Sequence, residues 1–191
     1  MQNRELFEKY LQGRHWEEHP TVYAELFSDI LLREGAARCR IVDVGCGTGR
    51  DVAEFSKREY DVLGIDYSED EIANARSLHP SCAFDVQDAE RLVIRDSAMD
   101  AAFSINVMHY VDQARTVSEI HRVLRPGGLF FVHFNLRISD RDGNVDLEQD
   151  EKKIMELFHG WQAVDRQVYD RIDTKPFDHV HTILQLVLRR E

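Results

Sequence analysis

The run Asp43-Val44-Gly45-Cys46-Gly47-Thr48-Gly49 limits what this chain can fold into more than any other stretch. It ends a short buried-strand pattern, Arg40-Ile41-Val42-Asp43-Val44, and precedes a helical pattern from about Arg50 to Lys57. Glycines at such a junction permit a tight turn and close approach of the backbone to a ligand. The helix behind it offers unpaired N–H groups and the positive end of its dipole. Strand, glycine-rich turn and helix together open an α/β sheet that binds a ligand beyond the carboxyl ends of its strands.

The same grammar continues along the chain. Asp61–Ile65 reads as a second strand, and Ser68 with Glu71 is a capping-box signature for the next helix. Cys82–Val86, Asp100–Ile105 and Leu129–Phe134 read as strands three to five. Val117, Ile120, His121 and Leu124 share a helical face, stopped by Pro126-Gly127-Gly128. After a helix near Lys152–Phe158, the runs Ala163–Ile172 and Thr182–Leu188 are joined by a turn containing Asp173 and Pro176, which predicts an antiparallel hairpin. Five alternating units and a hairpin predict a doubly wound α/β sheet of seven strands, order 3-2-1-4-5-7-6, with strand seven antiparallel. Two helical stripes precede it: Leu6, Phe7, Tyr10 and Leu11, then Val22 to Leu31 behind Pro20 at a first helical turn. The expected organisation is one domain, with an N-terminal helical cap over 1–37 and the core over 38–191.

Composition narrows the partners. A chain of 191 residues supports one ordinary domain. Its formal net charge of −11 repels phosphate backbones, so no nucleic-acid partner is expected. The longest apolar run is too short to span a bilayer, and the N-terminus lacks the apolar stretch of a secretory signal. The three cysteines, Cys39, Cys46 and Cys82, are odd in number and form no C-x-x-C pair, which fits reduced thiols. A cytoplasmic protein without a membrane partner, monomer or homodimer, is the expectation.

The spacing of the glycines decides between ligands. A dinucleotide fingerprint G-x-G-x-x-G/A starting at Gly45 requires Gly or Ala at position 50, where this chain has Arg50. D-x-G-x-G-x-G is instead the first motif of class I methyltransferases. The chain resembles a Rossmann-like, seven-stranded S-adenosylmethionine (SAM)-dependent methyltransferase of the small type 11 group, which includes ubiquinone-biosynthesis-like enzymes. The resemblance runs over roughly residues 38–134, through Gly64-Ile65-Asp66-Tyr67-Ser68, Val86-Gln87-Asp88-Ala89, Ser104–Val111 and Leu124–Leu129. It departs at Val93, where the family usually has proline.

The resemblance implies SAM as cofactor and assigns its binding residues. Asp43, Gly45, Cys46, Gly47 and Gly49 form the turn against the cofactor. Asp66, about 20 residues further on, takes the ribose-binding place, where one carboxylate accepts from two vicinal hydroxyls. Tyr67 would pack beside the adenosine; a surface tyrosine is the plainer reading. Asp88 and Ala89 match the acid and the backbone N–H that meet the adenine, and Asn106 borders the methionine part. His109 is the candidate to accept a proton from the methyl acceptor, against a plain packing role behind the strand.

The acceptor itself is not legible. A small molecule fits a chain with little material beyond its core; a protein acceptor, a non-catalytic SAM-binding role and, last, a nicotinamide-dependent oxidoreductase are the alternatives. Candidate pocket residues are Trp16 and Tyr23 from the N-terminal region, Tyr110, His133 and Asn135 at the end of strand five, and His179 in the hairpin. His133, His179 and His181 converge on one rim; no ligand-spacing motif accompanies them, so polar rim residues, and no metal, are the expectation. Ser139–Asp146 is polar and turn-rich, a lid or a solvated loop within 135–150.

Overall fold

The computed structural model describes residues 20–174 and 177–191. The stripe Leu6–Leu11 and Trp16 lie outside them. Five parallel strands, β1 (Arg40–Val44), β2 (Asp61–Asp66), β3 (Ala83–Val86), β4 (Met99–Ser104) and β5 (Leu124–Asp140), form most of the sheet. Four helices, α1 (Val22–Arg33), α2 (Arg50–Lys57), α3 (Glu69–Leu78) and α4 (Gln113–Val123), cover its faces. A short α5 (Glu151–Met155) runs into a single 3₁₀ turn, Glu156–Phe158. The chain then closes with β7 (Trp161–Asp173) and β8 (His179–Arg190).

The strand order is β3-β2-β1-β4-β5-β8-β7, with β8 antiparallel to both its neighbours. Leaving out the small β6 (Val145–Glu148), this is the expected order 3-2-1-4-5-7-6. The eighth strand comes from the segment read as lid or loop. Leu136 and Ile138 continue the alternation of β5, which runs on to Asp140. The chain turns on Asp140, whose Oδ1 accepts from Asn144 N at 2.8 Å, and β6 pairs back antiparallel. Strand occupies both ends of 139–146, and the polar residues 141–144 between them form the solvent-exposed turn of a hairpin. Pro20 likewise sits just before the N-cap residue Thr21 rather than in the first turn of α1.

Period-two alternation splits the strands between two cores. Ile41, Phe103, Phe131 and Val187 face α1, α2 and α3, where they meet Phe27, Val52, Phe55 and Ile72. Val42, Ala102, Phe130, Val132, Leu184 and Leu186 face α4 and the α5 region, meeting Val117, Ile120 and Ile154. Phe27, Phe55, Phe103 and Phe131 pack ring against ring at centroid separations of 5.2–6.3 Å. Each is fully buried, and each contributes about 1.5–3 kcal/mol from the area removed from water. Helix starts follow the sequence cues: Ser68 Oγ accepts from Glu71 N at 3.2 Å, and Asp112 caps α4 through Arg115 N. Among the described residues, no helix is long and apolar enough to cross a membrane.

Candidate functional site

Strands β1 to β4 deliver their carboxyl ends to one rim, and a cavity of about 750 Å³ opens there. Its floor is the turn after β1. Gly45 N and Cys46 N both donate to the carbonyl of Ile65 at the end of β2, at 2.8 and 2.9 Å, which ties the turn to the neighbouring strand. Gly47 has φ +52 and no atom within 4 Å of the place a Cβ would take, so its backbone lies open to the cavity. Gly49 serves differently. It has φ +81, does not line the cavity, and a Cβ there would stand 2.5 Å from the Phe84 ring; it lets α2 and β3 pack closely.

Asp66 ends β2 beside this turn. Its Oδ2 accepts from Gly47 N at 3.0 Å and its Oδ1 from Ser68 N at 2.9 Å, so the carboxylate is fixed while it lines the cavity. Tyr67, next in sequence, is 69% exposed at the mouth. Asp88 and Ala89 line the opposite wall, with Asp88 Oδ1 accepting from Glu90 N. Asn106 follows β4 in a left-handed conformation, φ +59, and its Oδ1 accepts from the Arg171 guanidinium at 3.4 Å. These assigned residues, with Asp43, Gly45 and Cys46, all line one space.

The wall behind the turn is acidic. Burial, with Asp51 and Asp66 nearby, holds the Asp43 carboxyl well above the ordinary carboxylate range against the opposing Arg50. Asp51 is raised by burial too, although Arg50 and its acceptance from Thr21 N at 2.6 Å oppose the shift. Glu71 adds a further acid to the lining. Buried carboxylates lower their energy beside a positive charge and raise it beside a negative one. SAM, with a sulfonium and an ammonium, fits this wall and the open backbone at Gly47.

The other end of the cavity is formed by Tyr23, His109, Tyr110 and the β7–β8 hairpin. His109 is 4% exposed, and burial pushes its pKa down to about 3, so it is neutral. Asn135 Nδ2 donates to its Nδ1 at 3.0 Å. Burial pushes the Tyr110 hydroxyl up. His133 and Asn135 are buried and are not lining residues. His133 packs edge-on to Tyr23 at 4.3 Å and bonds Gln185 at 3.2 Å, while Asn135 sits between His109 and His181. His179 and His181 do line the cavity, and the third group beside them is Asp173 rather than His133. Arg171 and Asp173 were missed at the level of sequence. They pair directly across the hairpin with His181 and His179, and the alternation R-x-D before the turn against H-x-H after it was the available signal.

A doubly wound sheet in this order, with a glycine turn after β1 and a fixed acid ending β2, defines the Rossmann-like SAM-dependent methyltransferase class. Residues 42–132 match the family model described as a methyltransferase domain. An uncharacterized methyltransferase of Mycobacterium tuberculosis is 33% identical over 102 residues, covering 53% of this chain and 42% of the relative. A probable SAM-dependent methyltransferase of Mycolicibacterium smegmatis is 33% identical over 122 residues, 60% of this chain and 46% of the relative. The chain thus spans about half the length of the curated relatives it matches. A crystal structure of a SAM-dependent methyltransferase from Methanosarcina mazei superposes with a TM-score of 0.70 at 19% identity, covering 84% of this chain and 96% of that one. TehB from Haemophilus influenzae gives 0.73 at 16% identity, covering 90% and 62%. These two similarities speak to the fold.

Proposed function

We propose that the protein transfers a methyl group from SAM to a small-molecule acceptor by in-line displacement. One observation carries the reading: the cavity that holds the glycine turn and Asp66 is continuous with the space lined by Tyr23, His109 and the hairpin. A cofactor held at one end therefore has an acceptor compartment at the other. Bound SAM supplies a methyl carbon on a positively charged sulfur that leaves as a neutral thioether.

The chain's own residues bind and orient. Asp66 accepts from the ribose hydroxyls, Asp88 from the adenine amino group, and the Ala89 N–H meets the ring, with Tyr67 covering the adenosine. The turn Asp43–Gly49 and Asn106 flank the amino-acid part. Holding two reacting atoms in line supplies about 7–11 kcal/mol of the barrier reduction, so a catalytic dyad is not required. As oriented by Asn135, His109 carries its proton on Nε2; it donates to an acceptor oxygen more readily than it takes a proton. Thr21, Val22 and Tyr23 form the near wall of the acceptor compartment. The three free thiols support a cytoplasmic setting. Monomer and homodimer are both compatible with a site built within one chain.

Incubation of the full chain with SAM and fractionated small-molecule extracts, scored for S-adenosylhomocysteine, tests the proposal. Acceptor-dependent product should appear in a low-molecular-mass fraction. Product only with macromolecular fractions would favour protein methylation, and tight SAM binding with no product in any fraction would favour a non-catalytic role.

A further inference from the structure

Asp173, His179 and His181 bring one carboxylate and two imidazoles together at the acceptor end of the cavity, their ligand atoms all within 4.8 Å of one another. His179 Nε2 lies 3.8 Å and His181 Nε2 3.3 Å from Asp173 Oδ2. Tetrahedral ligands about 2.0–2.1 Å from a zinc-sized ion stand about 3.3 Å apart. A modest contraction therefore brings these three to coordination distance.

The orientation of both rings supports the same conclusion. His179 Nδ1 is 2.7 Å from the carbonyl oxygen of Phe177, which only accepts, so the ring carries its proton there and turns Nε2 toward Asp173. His181 Nδ1 donates to Asn135 Oδ1 at 3.0 Å while Asn135 Nδ2 donates to His109, which fixes the same tautomer for His181. A hydrogen bond at one ring nitrogen that aims the other is the second-sphere arrangement of metal-bound histidine. With its proton on Nδ1, the His181 ring thus turns the lone pair of Nε2 to a carboxylate oxygen 3.3 Å away. Such a contact needs a positive charge nearby. The Arg171 guanidinium, 2.8 Å from Asp173 Oδ2, supplies one without a metal and would exchange at that oxygen for an ion.

We propose that Asp173, His179 and His181 form a binding site for a divalent transition metal of the zinc, cobalt or iron type, with an open position toward the cavity that takes a hydroxyl-bearing acceptor. The second half rests on the methyl-transfer reading above. Coordination lowers the pKa of a bound hydroxyl, so its proton leaves to water without a dedicated base. The oxygen then bonds the methyl carbon as the carbon–sulfur bond breaks, and that electron pair stays on the neutral thioether.

The full chain, stripped with chelator and dialysed, would be titrated with Co(II) and with Zn(II) by calorimetry, and the Co(II) ligand-field spectrum recorded. The expected result is one equivalent bound with Kd of about 10 μM or tighter. A visible band should report nitrogen and oxygen ligation. His179→Ala, His181→Ala and the size-conserving Asp173→Asn should each weaken binding about tenfold or more, while His159→Ala, at an exposed position, leaves it unchanged. Retained SAM binding would show that the variants are folded. Absence of stoichiometric binding, or binding that survives all three variants, overturns the site. Metal binding without methyl transfer to any acceptor would refute the methyl-transfer reading and leave the site standing. Full-rate methylation by metal-stripped protein would refute the acceptor role alone.

Discussion

Replacing Asp66 by alanine should weaken SAM binding far more than it weakens the fold. An ionised carboxylate has about four acceptor positions. Two are used within the protein, by Gly47 N at 3.0 Å and Ser68 N at 2.9 Å, and two remain for the vicinal hydroxyls of a ribose. Hydrogen bonds to a charged acceptor contribute about 1.5–3 kcal/mol each before water compensates. Asp66 is only partly buried, so water replaces some of what the variant loses. A net loss of about 1.5–3 kcal/mol follows, which is about a 10- to 150-fold rise in Kd. The fold loses an acceptor for two N–H groups that water at the cavity mouth can reach, at about 1 kcal/mol in total. Calorimetric titration with SAM and S-adenosylhomocysteine, beside urea unfolding without ligand, separates the two quantities. Asp66→Asn, which keeps one oxygen, should fall between. An affinity loss below about threefold, or an unfolding loss as large as the binding loss, would refute the assignment.

Two glycines of the turn should respond differently. Gly49→Ala sets a Cβ at φ +81 against the Phe84 ring and should cost about 2–4 kcal/mol of stability, read by urea unfolding. Gly47→Ala meets open space and should cost about 1–2 kcal/mol of stability, with a distinct loss of SAM affinity because its methyl enters the cavity. The buried histidines predict acid lability. His109, His133 and His181 have pKa values pushed down to about 3, so the folded state binds fewer protons than the unfolded chain between pH 3 and 6.5. Stability should therefore fall as pH drops from about 6.5 toward 3. His133→Phe, at a position outside the cavity, should make that fall shallower in thermal melts; an unchanged slope would show that His133 does not contribute.

The part of the cavity around the glycine turn was legible because it is local. Asp43 to Gly49 is one continuous segment, and Asp66 ends the next strand, so motif spacing and strand periodicity reach the same answer. Parallel neighbours then bring Asp88 and Asn106 to the same rim without any further choice. Gly49 shows where this logic stops. Its place in the motif suggested ligand contact, but its need for φ +81 and its closeness to Phe84 are facts of packing between α2 and β3, which no spacing encodes. His133 was drawn toward the pocket for a similar reason. The sequence reading ended strand five at Phe134, whereas β5 runs on to Asp140, and the bonding of His133 to Gln185 and its packing on Tyr23 depend on β8 and α1 together.

The hairpin end of the cavity depends on register. A hairpin pairs residues whose numbers have a constant sum, and near its turn β7–β8 pairs Asp173 with His179 and Arg171 with His181. Moving that sum by one would set each histidine against a residue whose side chain points to the opposite face, and the cluster would vanish. The sequence offers two stretches of alternating polarity and a proline between them, which predicts a hairpin without fixing where it closes. What fixes the pairing is remote: β8 also lies against β5, whose Phe131 and Val132 stand opposite Val187 and Leu186. These apolar positions must face the two cores, so the parity of β8 is set by burial about 20 Å from the histidines, at 3.3 Å per residue along the strand. The core thus determines which residues meet at the rim, and the meeting of Asp173 with His179 and of Arg171 with His181 is a consequence of packing at the middle of the sheet.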